Sequence, residues 1–173
     1  MTPIEPMEAL LADELPSGDD WQYEPKWDGF RCIAAREGAS VELWSKSGKP
    51  LGRYFPEVVA MLGRLGARRF VVDGELLISS GGRVSFDALQ MRLHPAESRI
   101  RKLSAETPAM LVAFDCLAVG DRMLGAAPLN ERRAALEELL GGERDSALVL
   151  SPVTEDRGKA LRWLDRGGGR WTG

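Results

Sequence analysis

Strand-like and helix-like segments follow one another irregularly along this 173-residue chain. Residues 30–35, 41–44, 69–78, 109–119 and 147–150 are short apolar segments rich in β-branched and aromatic residues, bounded by turn-forming residues, and read as strands. Residues 21–24 alternate apolar and polar side chains and read as a further strand leading into Lys26. Helices are expected at 56–65, 85–93, 130–140 and 154–165. The first has Pro56 in its opening turn and Val58, Val59, Leu62 and Leu65 on one face. Ser85 and Asn130 are candidate N-caps, Gly141 and Gly142 a stop, and Glu155 and Asp156 suit a first helical turn. Turns are expected around Gly38, Gly48 and Gly81-Gly82. Strands and helices mix without the strict alternation of a parallel sheet, so the fold class is α+β: largely antiparallel sheets packed with helices. Residues 1–20, rich in proline and acids, form an extended lead-in with one helical turn at 7–12, and residues 167–173 have no packing pattern.

A net charge of -3 and a pI of about 5.4 argue against a dedicated nucleic-acid binder, which carries a basic domain or stripe. Any grip on DNA must be local. Arg92, Arg99, Arg101 and Lys102, with the single histidine His94, form one basic stretch, either a phosphate contact or a solvated surface segment. Cys32 and Cys116 lack zinc-type spacing and sit in apolar runs, as buried thiols of a reducing compartment do. No apolar run approaches the ~18 residues of a membrane span. The first fifteen residues carry acids and no base, unlike a secretory signal. A cytoplasmic location without a membrane partner is expected.

Five lysines stand against eighteen arginines. Lys46, Lys49, Lys102 and Lys159 have ordinary polar settings. Lys26 lies between Pro25 and Trp27, with Asp28 and Gly29 following. A lysine attacks phosphorus only as the neutral amine, so an active site must depress its usual pKa of about 10.4. Partial burial beside Trp27 and a nearby cation would do so, the cation being Arg31 or a metal on a triphosphate. Asp28 would orient the amine or hold a metal-bound water. Gly29 would leave room for a bulky nucleotide.

The run Glu24-Pro25-Lys26-Trp27-Asp28-Gly29-Phe30-Arg31 resembles the nucleotidyl-transfer motif of ATP-dependent DNA ligases, particularly the bacterial repair type. Phe70 to Leu76 resembles the next motif of that family, and Val112 to Leu117 a third, in the family's order. The resemblance implies a covalent nucleotidyltransferase fold around a nucleotide cleft, with ATP and Mg2+ (or Mn2+) as cofactors and nicked double-stranded DNA as partner. It implies Lys26 as nucleophile, assisted by Asp28. Glu24 and Pro25 would lie near adenine, Arg31 would contact the nucleotide, Glu75 would bind the ribose or a metal, and Phe114 would stack on adenine. Lys46 stands where the family has an arginine, so its nucleotide contact keeps the charge and loses the bidentate fork. Lys26, Glu75 and Phe114 are expected in one cleft between two sheets.

The resemblance also implies parts that these 173 residues lack: a Glu-Gly strand with a metal-binding carboxylate, a strand bearing phosphate-contacting lysines, and an OB-fold domain. Residues 21–173 therefore read as a partial adenylation domain, incomplete at its C-terminus. An open sheet edge is expected beside the strands of the Lys26 or Asp73 regions. The isolated chain is expected to bind ATP weakly and to react little. An RNA ligase, a capping-type guanylyltransferase or a non-catalytic nucleotide-binding remnant are the alternatives.

Overall fold

The computed structural model describes residues 6–8, 10–80, 82–94, 96–142 and 145–165. Gly81 and residues 167–173, with the turn and tail expected there, lie outside the described residues.

One sheet organises the fold. β1 (Phe30–Glu37), β2 (Ser40–Ser45), β3 (Arg69–Ser80), β5 (Ala109–Val119) and β6 (Arg122–Met123) run in the order β2-β1-β3-β5-β6. β4 (Arg83–Val84) pairs with β3, and β7 (Leu148–Leu150) with β5. Every pairing is antiparallel except β5 with β7. The helices are α1 (Pro56–Arg64), α2 (Phe86–Arg92), α3 (Glu97–Glu106), α4 (Leu129–Leu140) and α5 (Arg157–Asp165).

The two-residue period of the strands separates the faces. Cys32, Ala34, Phe70, Val72, Leu76 and Ile78 point into the main core, where they meet Val58, Met61 and Leu62 of α1, Leu89 of α2, and Ala135 and Leu136 of α4. The opposite face carries a smaller apolar cluster of Ile33, Ala35, Val71 and Leu117. On that face the apolar residues give way to charge: Arg31 follows the parity of Ile33, and Asp73 and Glu75 that of Val71. The register places Arg31 opposite Glu75 and Asp73 opposite Asp115. A β-bulge between Asp73 and Gly74 adjusts this register. A Cβ at Gly74 would fall 2.5 Å from the Val112 carbonyl oxygen, so the bulge requires glycine.

Ser85 caps α2 as expected, its Oγ accepting from the Ala88 N–H. Asn130 does not cap α4: the helix starts at Leu129 after Pro128, and the Asn130 side chain accepts from the adjacent Glu131 N–H. Glu155 and Asp156 precede α5, where Asp156 Oδ1 accepts from the Gly158 and Lys159 N–H groups. Residues 21–24 form no strand; only Tyr23 bridges, to Thr154. The described residues between Met7 and Ala12 carry no helix.

Arg92 is not a surface cation. It is fully buried, donates to the Tyr54 and Thr107 carbonyls and pairs with Glu57 at 2.5 Å. Buried guanidinium charge needs such partners. Arg101 and Lys102 lie on α3, paired with Glu97 and Glu106.

β3 pairs with β1 on one side and β5 on the other through the Asp73 region, and residues 24–28 belong to no strand. Among the described residues no open edge lies beside Asp73, which sits at the centre of the sheet; an unpaired side remains at β7, which pairs only with β5.

Candidate active site

Residues 24–28 cross the charged face as an irregular loop ending at Gly29. Gly29 packs against β3. A Cβ at that position would lie 2.1 Å from the Leu76 carbonyl oxygen and 2.6 Å from Leu77 Cδ2. The neighbouring strand by itself therefore requires the glycine. The Gly29 N–H donates to Glu75 Oε1 at 2.9 Å, which aims that carboxylate.

A cavity of about 400 Å³ opens here, and Glu24, Pro25, Lys26, Arg31, Glu75 and Phe114 all line it. Six of the seven expected nucleotide-contacting residues thus converge, from one loop and three strands, over one sheet; the two sheets expected to flank the cleft are a single sheet. Lys46 lines a neighbouring cavity of about 860 Å³ together with Gly29, Phe30 and Arg31. Its Nζ lies 2.9 Å from Glu8 Oε1. Asp28 is not among the residues lining the smaller cavity, although it touches Lys26.

Lys26 is 81% exposed, and its Nζ pairs with Asp28 Oδ1 at 2.9 Å. Asp28 raises the Lys26 pKa, by its hydrogen bond first and its charge second, with Glu75 adding a little. The depressed pKa expected from burial beside Trp27 is not found. Trp27 turns instead toward Ser151, its Nε1 donating to Ser151 Oγ at 3.1 Å.

Arg31 is held by Asp73 in a two-point contact, Nε to Oδ1 at 3.1 Å and Nη2 to Oδ2 at 2.6 Å. Its Cζ stands 5.7 Å from the Phe114 ring centroid, a cation–π distance. Nη2 also donates to the Met7 carbonyl at 2.5 Å. Burial pushes the Asp73 carboxyl up, against the opposing pull of Arg31. Burial likewise raises Glu24, and it pushes Glu75 up to about 7.

Several lining residues escaped sequence reasoning. Met7 and Glu8 arrive from the lead-in, and Asp73, Asp115, Leu129 and Arg132 also line the wall. Arg132 of α4 pairs with Asp115 at 2.8 Å. Asp73 and Asp115 lie inside the two later motifs, which was their one signal; Arg132 is an arginine in an ordinary amphipathic helix and carried none.

Residues 6–167 match the family model described as ATP dependent DNA ligase domain. DNA ligase C of Mycobacterium tuberculosis is 45% identical over 167 residues, covering 95% of this chain and 46% of that protein. DNA ligase C2 of Mycolicibacterium smegmatis is 45% identical over 164 residues, again 95% and 46%. The chain thus spans about half the length of the curated relatives it matches. Among solved structures, the mycobacterial DNA ligase D complexed with ATP and MES superposes with a TM-score of 0.63 at 24% identity, over 86% of this chain and 46% of that chain. That likeness confirms the mixed α+β fold.

Proposed function

The chain belongs to the ATP-dependent DNA ligase domain family, and from that premise we propose that its cavity binds ATP and that Lys26 is the nucleophile of an adenylation step serving the sealing of nicked DNA. The observation that carries the reading is the convergence of Lys26, Glu75 and Phe114, 88 residues apart in sequence from first to last, on one cavity.

In this reading the neutral Lys26 amine attacks the ATP α-phosphorus. A nitrogen–phosphorus bond forms, the bond to pyrophosphate breaks, and the lysyl-AMP later passes its AMP to a DNA 5′-phosphate. Asp28 orients the amine and accepts the proton that the nitrogen sheds as the bond to phosphorus forms. The Glu75 carboxylate, aimed by Gly29, accepts the ribose hydroxyls. The base stacks on the Phe114 face away from Arg31, beside Glu24 and Pro25. Arg31 and Lys46 meet phosphate charge, which first requires the nucleotide to displace Met7 and Glu8. For Mg2+ or Mn2+ the described residues offer no cage: no group of three or more His, Cys, Asp or Glu side chains comes together. A divalent ion would arrive on the phosphates, Glu75 is kept for the ribose, and no step is routed through a metal. The remaining ligase segments, including an OB-fold domain, are the partners this reading needs.

One observation favours a second reading for these 173 residues alone, as a nucleotide-binding unit without chemistry. Asp28, 2.9 Å from the Lys26 amine, favours its ammonium form, which cannot attack. Intact-mass measurement after incubation with ATP and a divalent ion separates the two. Little or no AMP adduct is expected from the chain alone, and an adduct once the remainder of a ligase is supplied. GTP should give none, which excludes a capping-type activity. Lys26→Ala should remain folded and unlabelled; an adduct persisting in that variant means another residue is the nucleophile.

A further inference from the structure

We propose that Ser151, at the end of β7, is the positioning residue of the Lys26 loop, coupling it to the strand that carries Phe114. The proposal rests on the reading of Lys26 as nucleophile and deepens it.

The loop has little of its own to hold it. Residues 24–28 make no ladder, and the nearest backbone tie is the Tyr23–Thr154 bridge, 2.8 and 3.0 Å. An irregular segment that must present one amine to within a fraction of an ångström needs side-chain anchors. Ser151 is completely buried, and each of its polar groups is engaged. Its N–H donates to the Ala113 carbonyl at 2.8 Å, beside Phe114 on β5. Its carbonyl accepts from Arg133 Nη1 at 2.8 Å.

The hydroxyl faces the loop and meets it at Trp27. An indole N–H can only donate, so Ser151 Oγ accepts from Trp27. One buried oxygen therefore fixes the residue after Lys26. The backbone bonds of Ser151 fix that oxygen in turn to the ring wall of the cavity.

Ser151→Ala removes the oxygen and leaves both backbone bonds, so β7 should stay docked. Trp27→Phe removes the indole donor from the other side. The experiment combines native-state hydrogen exchange, resolved to residues 24–29, with the rate and ATP dependence of AMP-adduct formation once the remainder of a ligase is supplied, for the wild type, both single variants and the double variant. Exchange in 24–29 is expected to rise about 5-fold in Ser151→Ala, the order for one lost hydrogen bond, while β7 and α4 keep wild-type protection. Trp27→Phe should reproduce most of that rise, and the double variant should add little. Adduct formation at saturating ATP should fall about 10-fold or more, with KM within about 2-fold, since a misplaced nucleophile loses rate rather than binding. Wild-type exchange at 24–29 in Ser151→Ala, or a rise spread equally over β7 and α4, overturns the proposal. Full additivity of the two variants overturns it as well. Absence of any adduct in every protein with the remainder of a ligase supplied removes the nucleophile reading instead, and the exchange result still decides whether Ser151 holds the loop.

Discussion

The Lys26 ammonium lies 2.9 Å from the Asp28 carboxylate in a loop where both side chains are mostly exposed. The pair is a proton trap as much as an anchor. It raises the lysine pKa, whereas attack on phosphorus needs the amine free. Any cation that draws Asp28 away, or screens it, moves Lys26 toward the reactive form.

Replacing Asp28→Asn should therefore lower the pH at which Lys26 titrates. An amine is neutral above its pKa, so at a fixed mildly alkaline pH the variant holds more free amine. Residue-resolved acylation against pH checks this, with Lys49 and Lys159 as internal references. The Lys26 profile should move to lower pH while the references stay. A profile that does not move would show that Asp28 does not govern the amine.

Gly29→Ala should destabilise the domain by about 3 kcal/mol or more, as overpacking against rigid backbone does. The clash is with the Leu76 carbonyl of a central strand, which cannot swing aside as a side chain can. Urea unfolding measures the loss. The Gly29 N–H would also shift from Glu75, so the surviving folded protein should bind ATP more weakly.

Local pattern carried much of the fold. β-branched runs marked β1, β2, β3 and β5 because each alternates or is wholly apolar, and Pro56 and Ser85 marked helix starts because their chemistry is local. α3 was missed: it has no side-chain cap, it is almost entirely polar, and Ile100 is its one buried residue. Arg92 was misread for a related reason. Its partners Glu57, Tyr54 and Thr107 are 15 to 38 residues away, and composition cannot show that a basic residue points inward. The candidate site was legible where motif residues line the cavity, as at Lys26, Glu75 and Phe114. It was not legible where tertiary pairing builds it. Arg31–Asp73 spans 42 residues and Trp27–Ser151 spans 124, and neither has a sequence signal of its own.

Glu8→Gln should strengthen ATP binding. Glu8 occupies Lys46 and stands in the cavity wall, so an anionic nucleotide must break that pair before using the lysine. The pair is exposed, and such pairs are weak, so the gain should be about 2- to 5-fold. Titration calorimetry at two salt concentrations checks it, and the difference between wild type and variant should shrink at high salt. A weaker affinity in Glu8→Gln would mean that the segment helps to hold the nucleotide.

Glu75 gives stability and binding opposite pH dependences. Its carboxyl is pushed up to about 7, chiefly by burial, from an ordinary value of 4.5. Below the ordinary value both folded and unfolded chains hold the proton, and the stability linked to this group is fully present. Between there and about 7 the unfolded chain releases the proton more readily, so stability falls as pH rises, until both states are ionised. The group is partly open to solvent, which screens the loss. Glu24 and Asp73, also raised by burial, add losses of the same sign. The wild type should therefore be less stable in urea at pH 8 than at pH 5, and Glu75→Gln should remove part of that difference. ATP binding runs the other way. The ionised carboxylate is the better acceptor for ribose hydroxyls, so affinity should rise through about pH 7 in the wild type and stay flatter in Glu75→Gln. If the two proteins show parallel affinity profiles, Glu75 does not contact the ribose.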